Sequence, residues 1–276
     1  INPALYVDSP LAPLTPILRH VIKSVPGIGG DIEPQDIAVA AAFGLSTLDV
    51  VRRLRVGVFS TGDELAAPGS ARAEAQLYDS NRFMLMAMLR RLGCEVGDLG
   101  ILRDERAELA AALKQVARSF DLILTTGGVS TGEEDHVKAG IEQAGSLVLW
   151  RMAIKPGRPV AMGIIDGTPL IGLPGNPVAA FVDFQLYARP LIAALSGHPA
   201  PRQRVNLRAR VDSPLPASRA RPTIVPVTVD FRAAPAITSH LPHGSHRIVS
   251  LAGTNGFCLI DSEPPAMGED ITVYLY

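Results

Sequence analysis

Between residues 51 and 197, short apolar runs alternate with longer amphipathic stretches, and nothing constrains the fold of this chain more. The runs are RVGVFS (55–60), EVGDLGIL (95–102), DLILTT (121–126), SLVLW (146–150), a run near 160–165 and PLIGL (169–173). Each is short enough for a buried strand. Helices are predicted between them at 80–92, after Asp104, around 135–144 and from Gly175 to Ala194. Asp79 or Ser80 suits the N-cap of the first of these, and Gly93 its C′ position. After Asp104, the residues Leu109, Leu113, Val116 and Phe120 recur on one helical face. Strands alternating with helices predict an α/β domain with a doubly wound, mostly parallel sheet covered on both faces.

The flanks read differently. Residues 1–50 carry two helical patterns, Leu11–Val25 and Pro34–Leu45, separated by SVPGIGGD. From 201 onward helix signals stop. The runs RVNLRARV, PTIVPVTVDF, HRIVSLA, FCLI and ITVYLY, separated by Pro and Gly, predict a small β-sandwich or barrel. The expected organisation is an N-terminal segment at 1–50, an α/β domain at 51–200 and an all-β domain at 201–276.

At 276 residues the chain is long enough for two domains with sizeable cores. Lys and Arg total 26 against 27 Asp and Glu, a net charge of −1, which excludes a bulk nucleic-acid binder but not a local anion site. Two distant cysteines, Cys94 and Cys258, make no disulfide scaffold and suit a reducing cytosol. Cys94 reads as buried and inert, and Met84, Met86 and Met88 as core packing. The first ten residues lack the basic start and apolar block of a secretory leader. No uninterrupted apolar run approaches the ~18 residues of a membrane span. A cytoplasmic protein is expected.

In a doubly wound sheet, ligands bind beyond the carboxyl ends of the strands, and four loops there are unusual. Ser60-Thr61-Gly62-Asp63-Glu64-Leu65 sets two carboxylates side by side, suited to a hard cation or to acid–base work. Spacing alone favours a polar turn with Asp63 capping a short helix. Thr125-Thr126-Gly127-Gly128-Val129-Ser130-Thr131-Gly132-Glu133-Glu134-Asp135-His136 joins a buried strand to a helix. Its glycines let backbone N–H groups approach an anion, and Asp135 could hold a divalent ion against a phosphate. It is neither a Walker A loop nor a clean GxGxxG, and His136 reads as a helix-start residue. Trp150-Arg151-Met152-Ala153-Ile154-Lys155-Pro156-Gly157-Arg158-Pro159 carries three cations in a proline-stiffened loop, suited either to an oxyanion or to solvent. Gly172-Leu173-Pro174-Gly175-Asn176-Pro177 opens a helix, with free N–H groups expected at its start. Gly244-Ser245-His246 in the β region reads, by itself, as a turn.

STGDEL, YDSNR (78–82), LTTGGVSTGEEDH, IKPGRP and GLPGNP, in this order, closely resemble the molybdopterin molybdenumtransferase family, to which gephyrin's C-terminal domain also belongs. The resemblance is strong over 51–197 and extends through HGSHRIVSLAGTNGFCLI. It implies an enzyme that inserts molybdenum from molybdate into adenylylated molybdopterin, releasing AMP, with a divalent cation taken as Mg²⁺. It places Asp63, Glu64, Asp104, Asp135 and Lys155 as catalytic, and Asp63, Glu64 and Asp135 as metal ligands. It places Thr61, Gly62, Thr126, Gly127, Gly128, Ser130, Gly132, Arg151, Gly157, Pro174, Gly175, Asn176, Pro177 and Ser245 around the pterin substrate and the oxyanion. Arg151 stands where bacterial relatives often carry Lys. A homodimer is implied, as are molybdopterin adenylyltransferase and apo-molybdoenzymes as partners. The family's strand-rich and dimer-forming N-terminal domains exceed 50 residues, so 1–50 is expected to be an incomplete remnant of them. Two other functions compete: a molybdopterin adenylyltransferase, which shares the TTGG loop and the sheet, and a non-catalytic scaffold that binds a partner peptide.

Overall fold

The computed structural model describes residues 4–6, 34–102, 106–128, 136–151, 159–197, 205–217, 222–240, 248–261 and 263–276. By internal contacts the chain divides into two units, one from 1–54 with 189–202, the other from 55–188 with 203–276. In the first unit, β1 (Ala4–Tyr6) pairs antiparallel with β2 (Asp49–Val51), and α1 (Pro34–Ala42) lies between them in sequence. The helix expected over Leu11–Val25 lies outside the described residues.

The second unit opens with β3 (Arg55–Thr61), buried at every position after the first. A small pair follows, β4 (Leu65–Ala66) and β5 (Leu77–Tyr78), then α2 (Asn81–Arg91). Ser80 occupies the N-cap of α2 without a side-chain bond. Asp79 supplies it instead, Oδ1 accepting from the Arg82 N–H at 3.2 Å. Next come β6 (Glu95–Leu102), α3 (Arg106–Ala117), β7 (Leu122–Thr126), α4 (His136–Ala144), β8 (Ser146–Arg151), β9 (Pro159–Ile165) and β10 (Thr168–Leu173). The sheet order is β6-β3-β7-β10-β9-β8. β6, β3, β7 and β10 run parallel, while β9 is antiparallel to both β10 and β8. The sheet is therefore mixed on one side. The cause is Asp166-Gly167, both at positive φ (47° and 86°), a two-residue turn that folds β9 and β10 into a hairpin.

Period-2 alternation sorts the two faces of the sheet. Phe59 and Ile123 join Leu109 and Leu113 of α3 and Val137 and Ile141 of α4 in one buried cluster. Ser60 and Thr126 project to the opposite face, against α2. Phe120 lies beyond the end of α3 rather than on its face. Its ring covers Gly57 and Gly97, which stand in register on β3 and β6. A Cβ at Gly57 would meet the ring at 3.0 Å, and one at Gly97 would collide with its edge.

The long helix expected from Gly175 is three pieces. α5 (Pro177–Asp183) passes into a π-helical turn (Phe184–Ala188), then α6 (Arg189–Leu195), which belongs to the first unit. By window, the run Pro177–Leu195 does meet the length and hydropathy (1.4) of a membrane span. Half of that window is buried inside the protein, and Asp183 and Gln185 are among its buried residues, which is the profile of a core helix.

The remaining strands are β11 (Asn206–Val211), β12 (Thr223–Asp230), β13 (Ala236–His240), β14 (Gly256–Ile260) and β15 (Asp270–Leu275). They close a barrel in the order β11-β13-β12-β14-β15 around Val211, Val227, Ile237, Cys258 and Val273. HRIVSLA contributes a short helix, α7 (Ile248–Leu251), instead of the expected strand. Outside the barrel, Ile224 and Phe257 pack on Val182 of α5, and Phe181 meets Tyr276 edge to face at 4.7 Å.

Candidate functional site

Chain order and sheet order together mark where an open α/β sheet takes a ligand. From β3 the chain moves outward to β6, then returns to the other side of β3 as β7. That reversal opens a switch point between the carboxyl ends of β3 and β7. Ser60-Thr61 and Thr125-Thr126 end these strands side by side, with Ser60 in register with Thr126.

The polar atoms here are unusual. Ser60 Oγ, Thr61 Oγ1, Thr125 Oγ1 and Asn81 Oδ1 are buried and have no hydrogen-bond partner. An unpaired buried polar group costs roughly 1–3 kcal/mol, so native folds keep few of them. Four at one sheet edge mark a place where polarity is held for something other than the fold.

The loops around these strand ends are tied together by a short network. Asn81, on the first turn of α2, donates from Nδ2 to Thr126 Oγ1 (2.9 Å) and to the Gly175 carbonyl (2.8 Å). Thr126 Oγ1 in turn donates to the Pro174 carbonyl (3.1 Å), and the Gly127 N–H donates to Leu173 O (3.2 Å). Gly127 and Gly128 take φ of 85° and 61°, and a side chain on either would collide with Thr61. Only glycine lets the turn lie this close over the end of β3.

At the neighbouring turn, Asp63 and Glu64 are both exposed. The turn closes with Leu65 N–H on Gly62 O and enters β4, so Asp63 caps no helix. Gly62 (φ 140°) lets Glu64 fold back: a Cβ there would lie 2.5 Å from Glu64 Oε2. Across the crevice, Asn176 caps α5 with its own side chain. Its Oδ1 accepts from Val178 N–H (3.0 Å) and Ala179 N–H (3.2 Å), and its carbonyl accepts from Ala180 N–H. With Pro177 at the first helical position, no N–H remains free there. The expectation of an open anion-binding helix start at this loop is overturned. In the same loop Pro174 is buried and Gly175 exposed.

Behind the crevice, Arg82 pairs with Asp79 (2.8 Å) and with Asp98, fixing the start of α2 to β6. Burial opposes its charge, yet the two carboxylates hold its guanidinium above the ordinary value. Further along α5, Asp183 is fully buried with neither carboxylate oxygen bonded, and burial pushes it up to about 9. Tyr187, one turn on, is pushed to about 12 by burial and by Asp183. The buried thiols Cys94 and Cys258 are likewise raised by burial, to about 11 and about 12, which leaves both unreactive.

Of the residues singled out from the sequence, the switch point brings together Thr61, Gly62, Asp63, Glu64, Thr126, Gly127, Gly128, Pro174, Gly175, Asn176 and Pro177. Arg151 ends β8, in register with Pro159. Asp104, Ser130, Gly132, Asp135, Lys155, Gly157 and Ser245 lie outside the described residues. Sequence reasoning passed over Ser60, Asn81, Thr125 and Asp183. Asn81 stood inside YDSNR, and Ser60 and Thr125 were quoted as loop residues without a role. Asp183 gave no signal, being one carboxylate in an apolar helix.

Residues 57–194, half of the chain, match the family profile described as a probable molybdopterin binding domain, and 208–276 match the MoeA C-terminal region, domain IV. The molybdopterin molybdenumtransferase of Haemophilus influenzae is 44% identical over 169 residues, covering 61% of this chain and 42% of that protein. Molybdopterin molybdenumtransferase 2 of Mycobacterium tuberculosis is 36% identical over 234 residues, 83% of this chain and 57% of that one. The chain thus spans about half the length of these relatives. The molybdopterin biosynthesis MoeA protein of Pyrococcus horikoshii superposes with a TM-score of 0.76 at 27% identity, over 90% of this chain and 60% of that chain. The α/β sheet followed by the barrel fits both family matches and the superposition, and the chain belongs to the MoeA family.

Proposed function

We propose that this chain works in molybdenum cofactor biosynthesis as a transferase, inserting molybdenum from molybdate into adenylylated molybdopterin and releasing AMP. The observation that carries this is the set of unpaired buried hydroxyl and amide groups at the β3–β7 switch point, beneath the Gly127-Gly128 turn. The crevice has the donors and acceptors that a polar pterin carrying a pyrophosphate link needs. Thr61, Gly62, Thr126, Gly127 and Gly128 would line the substrate, with Ser130, Gly132, Gly157 and Ser245 added from the loops. Pro174, Gly175, Asn176 and Pro177 would form the wall. Arg151 and Lys155 would face molybdate, a dianion.

A divalent cation fits the chemistry of the donor set. Asp63 and Glu64 are adjacent, exposed and on a glycine turn, an arrangement suited to a largely hydrated Mg²⁺. Asp135 would add a third oxygen. When bound, the ion would neutralise charge on the pyrophosphate as AMP departs. Asp63, Glu64, Asp104 and Asp135 would hold the ion or move protons, and Lys155 would stabilise the oxyanion. We read the protein as cytoplasmic and homodimeric, with 1–50 as a partial dimer-arm segment, and with molybdopterin adenylyltransferase and apo-molybdoenzymes upstream and downstream. The barrel's match to MoeA domain IV and the names of the relatives speak against the adenylyltransferase alternative.

The test is AMP release from adenylylated molybdopterin with Mg²⁺, with and without molybdate. Molybdate-dependent release, weakened at least tenfold in Lys155→Ala, is expected. Adenylylation of free molybdopterin by ATP, without molybdate-dependent release, would overturn the assignment.

A further inference from the structure

Asn81 Oδ1 belongs to the unpaired set at the switch point, but its Nδ2 does something separate: it bonds the end of β7 and the Gly175 loop at once. Its Nδ2 reaches Thr126 Oγ1, at the root of the Gly127-Gly128 turn, and Gly175 O, in the wall of the crevice. Thr126 closes the triangle by donating to Pro174 O. Together with the Gly127 N–H bond to Leu173 O, these bonds join the glycine turn to the Pro174-Gly175 loop. Asn81 itself is 7% exposed and held at the start of α2, the helix that Arg82 locks to β6 through two carboxylates.

We propose that Asn81 is the positioning residue of the site: it sets the spacing between the glycine turn and the proline wall, and hence the width of the crevice that takes the substrate's phosphates. The inference deepens the transferase assignment and rests on it. Two features separate this role from ordinary packing. First, Asn81 is poorly built as a fastening, because its Oδ1 is left buried and unpaired. A side chain serving only stability would avoid that. Second, its bonds end at the two sides of the site, one on Thr126 at the end of β7 and one on Gly175 O, and neither on α2. Removing the side chain also removes the orphaned oxygen, which offsets part of the lost stability. Ligand affinity has no such compensation.

The experiment compares Asn81→Ala with Thr168→Val. The latter deletes a buried bond to Ala117 O (2.9 Å) at the opposite end of the strands. Three readouts are taken: thermal midpoint, amide hydrogen exchange at Gly127, whose N–H bonds Leu173 O, and KM and kcat for molybdate-dependent AMP release. The expected result for Asn81→Ala is exchange at least tenfold faster at this amide and KM raised about tenfold. Its kcat should change less than threefold, and its midpoint should fall no further than that of Thr168→Val, which keeps wild-type KM. Thr126→Val breaks the same Asn81–Thr126 bond, together with its own bond to Pro174 O, and serves through its exchange readout if Asn81→Ala does not fold. The double variant should be less impaired than the sum of the singles, because the two share the Asn81–Thr126 bond. Unchanged exchange at Gly127 overturns the proposal whatever the activity. Faster exchange in a protein whose wild type releases no AMP would leave the fastening in place and sink the transferase assignment instead. Equal losses of midpoint and KM in Asn81→Ala and Thr168→Val would reduce Asn81 to a structural residue.

Discussion

Two asparagines show how differently the two domains use polarity. In the barrel, Asn255 accepts from Val229 N–H and donates to Val229 O, both at 2.8 Å, so each end of its amide is satisfied. At the end of the sheet, Asn81 uses its nitrogen twice and leaves its oxygen bare. The contrast is general. Among the described residues, every unpaired buried side-chain atom lies between Ser60 and Asp183, and none in the barrel. Barrel polarity is consumed in holding strands together, while the sheet edge keeps polarity in reserve. A domain whose buried groups are all paired is a support. One that leaves groups unpaired at a switch point is where binding is to be sought.

The largest expected effect concerns Asp183, the charge-bearing member of the reserve. Its folded value of about 9 lies far above its ordinary 3.8. The folded protein therefore holds a proton that the unfolded chain has released, and stability must fall as pH rises between these values, levelling off above about 9. The limiting slope for one such group is about 1.4 kcal/mol per pH unit. Asp183→Asn should flatten this part of the profile, so urea midpoints of variant and wild type should diverge as pH goes from 5 to 9. Parallel profiles would mean that Asp183 finds a partner in solution. Next in size, Asn255→Ala strands the Val229 N–H and carbonyl and should cost about 1–3 kcal/mol in denaturant titrations. AMP affinity by calorimetry should stay unchanged, and a loss of affinity would break the division of labour between the domains. Smallest is Arg232→Ala. Its pairing with Asp230 lies on a side chain 91% exposed, so the denaturation midpoint should not move measurably.

The strand–helix alternation was legible because burial on both faces writes continuous apolar runs, as in LILTT. Strand direction was not written there, and β9 runs against its neighbours because of Asp166-Gly167, a hairpin signal overlooked within IIDGTPL. The π turn after Asp183 was hidden because an apolar helix keeps its face through one widened turn. HRIVSLA misled because a short apolar run suits strand or helix equally. At the site, the glycine and proline loops announced themselves by composition. Asn81 and Ser60 did not, since their significance lies in which bonds they lack, and that depends on neighbours 45 or more positions away. Similarly, Asn176 looked like part of an anion cradle until its own side chain proved to fill the helix start.

Gly57, Gly97 and Phe120 carry a consequence for how this sheet can change over generations. The ring of Phe120 fills the groove left by two missing side chains, so the three positions behave as one inherited character. Alanine at Gly97 cannot arrive first, because it would overlap the ring. A smaller residue at 120 can, at the expense of a void, and only then do the glycines become free to vary. The order of permissible steps is thus set by shape, and lineages in which the ring has been lost are those in which substituted strands should be sought.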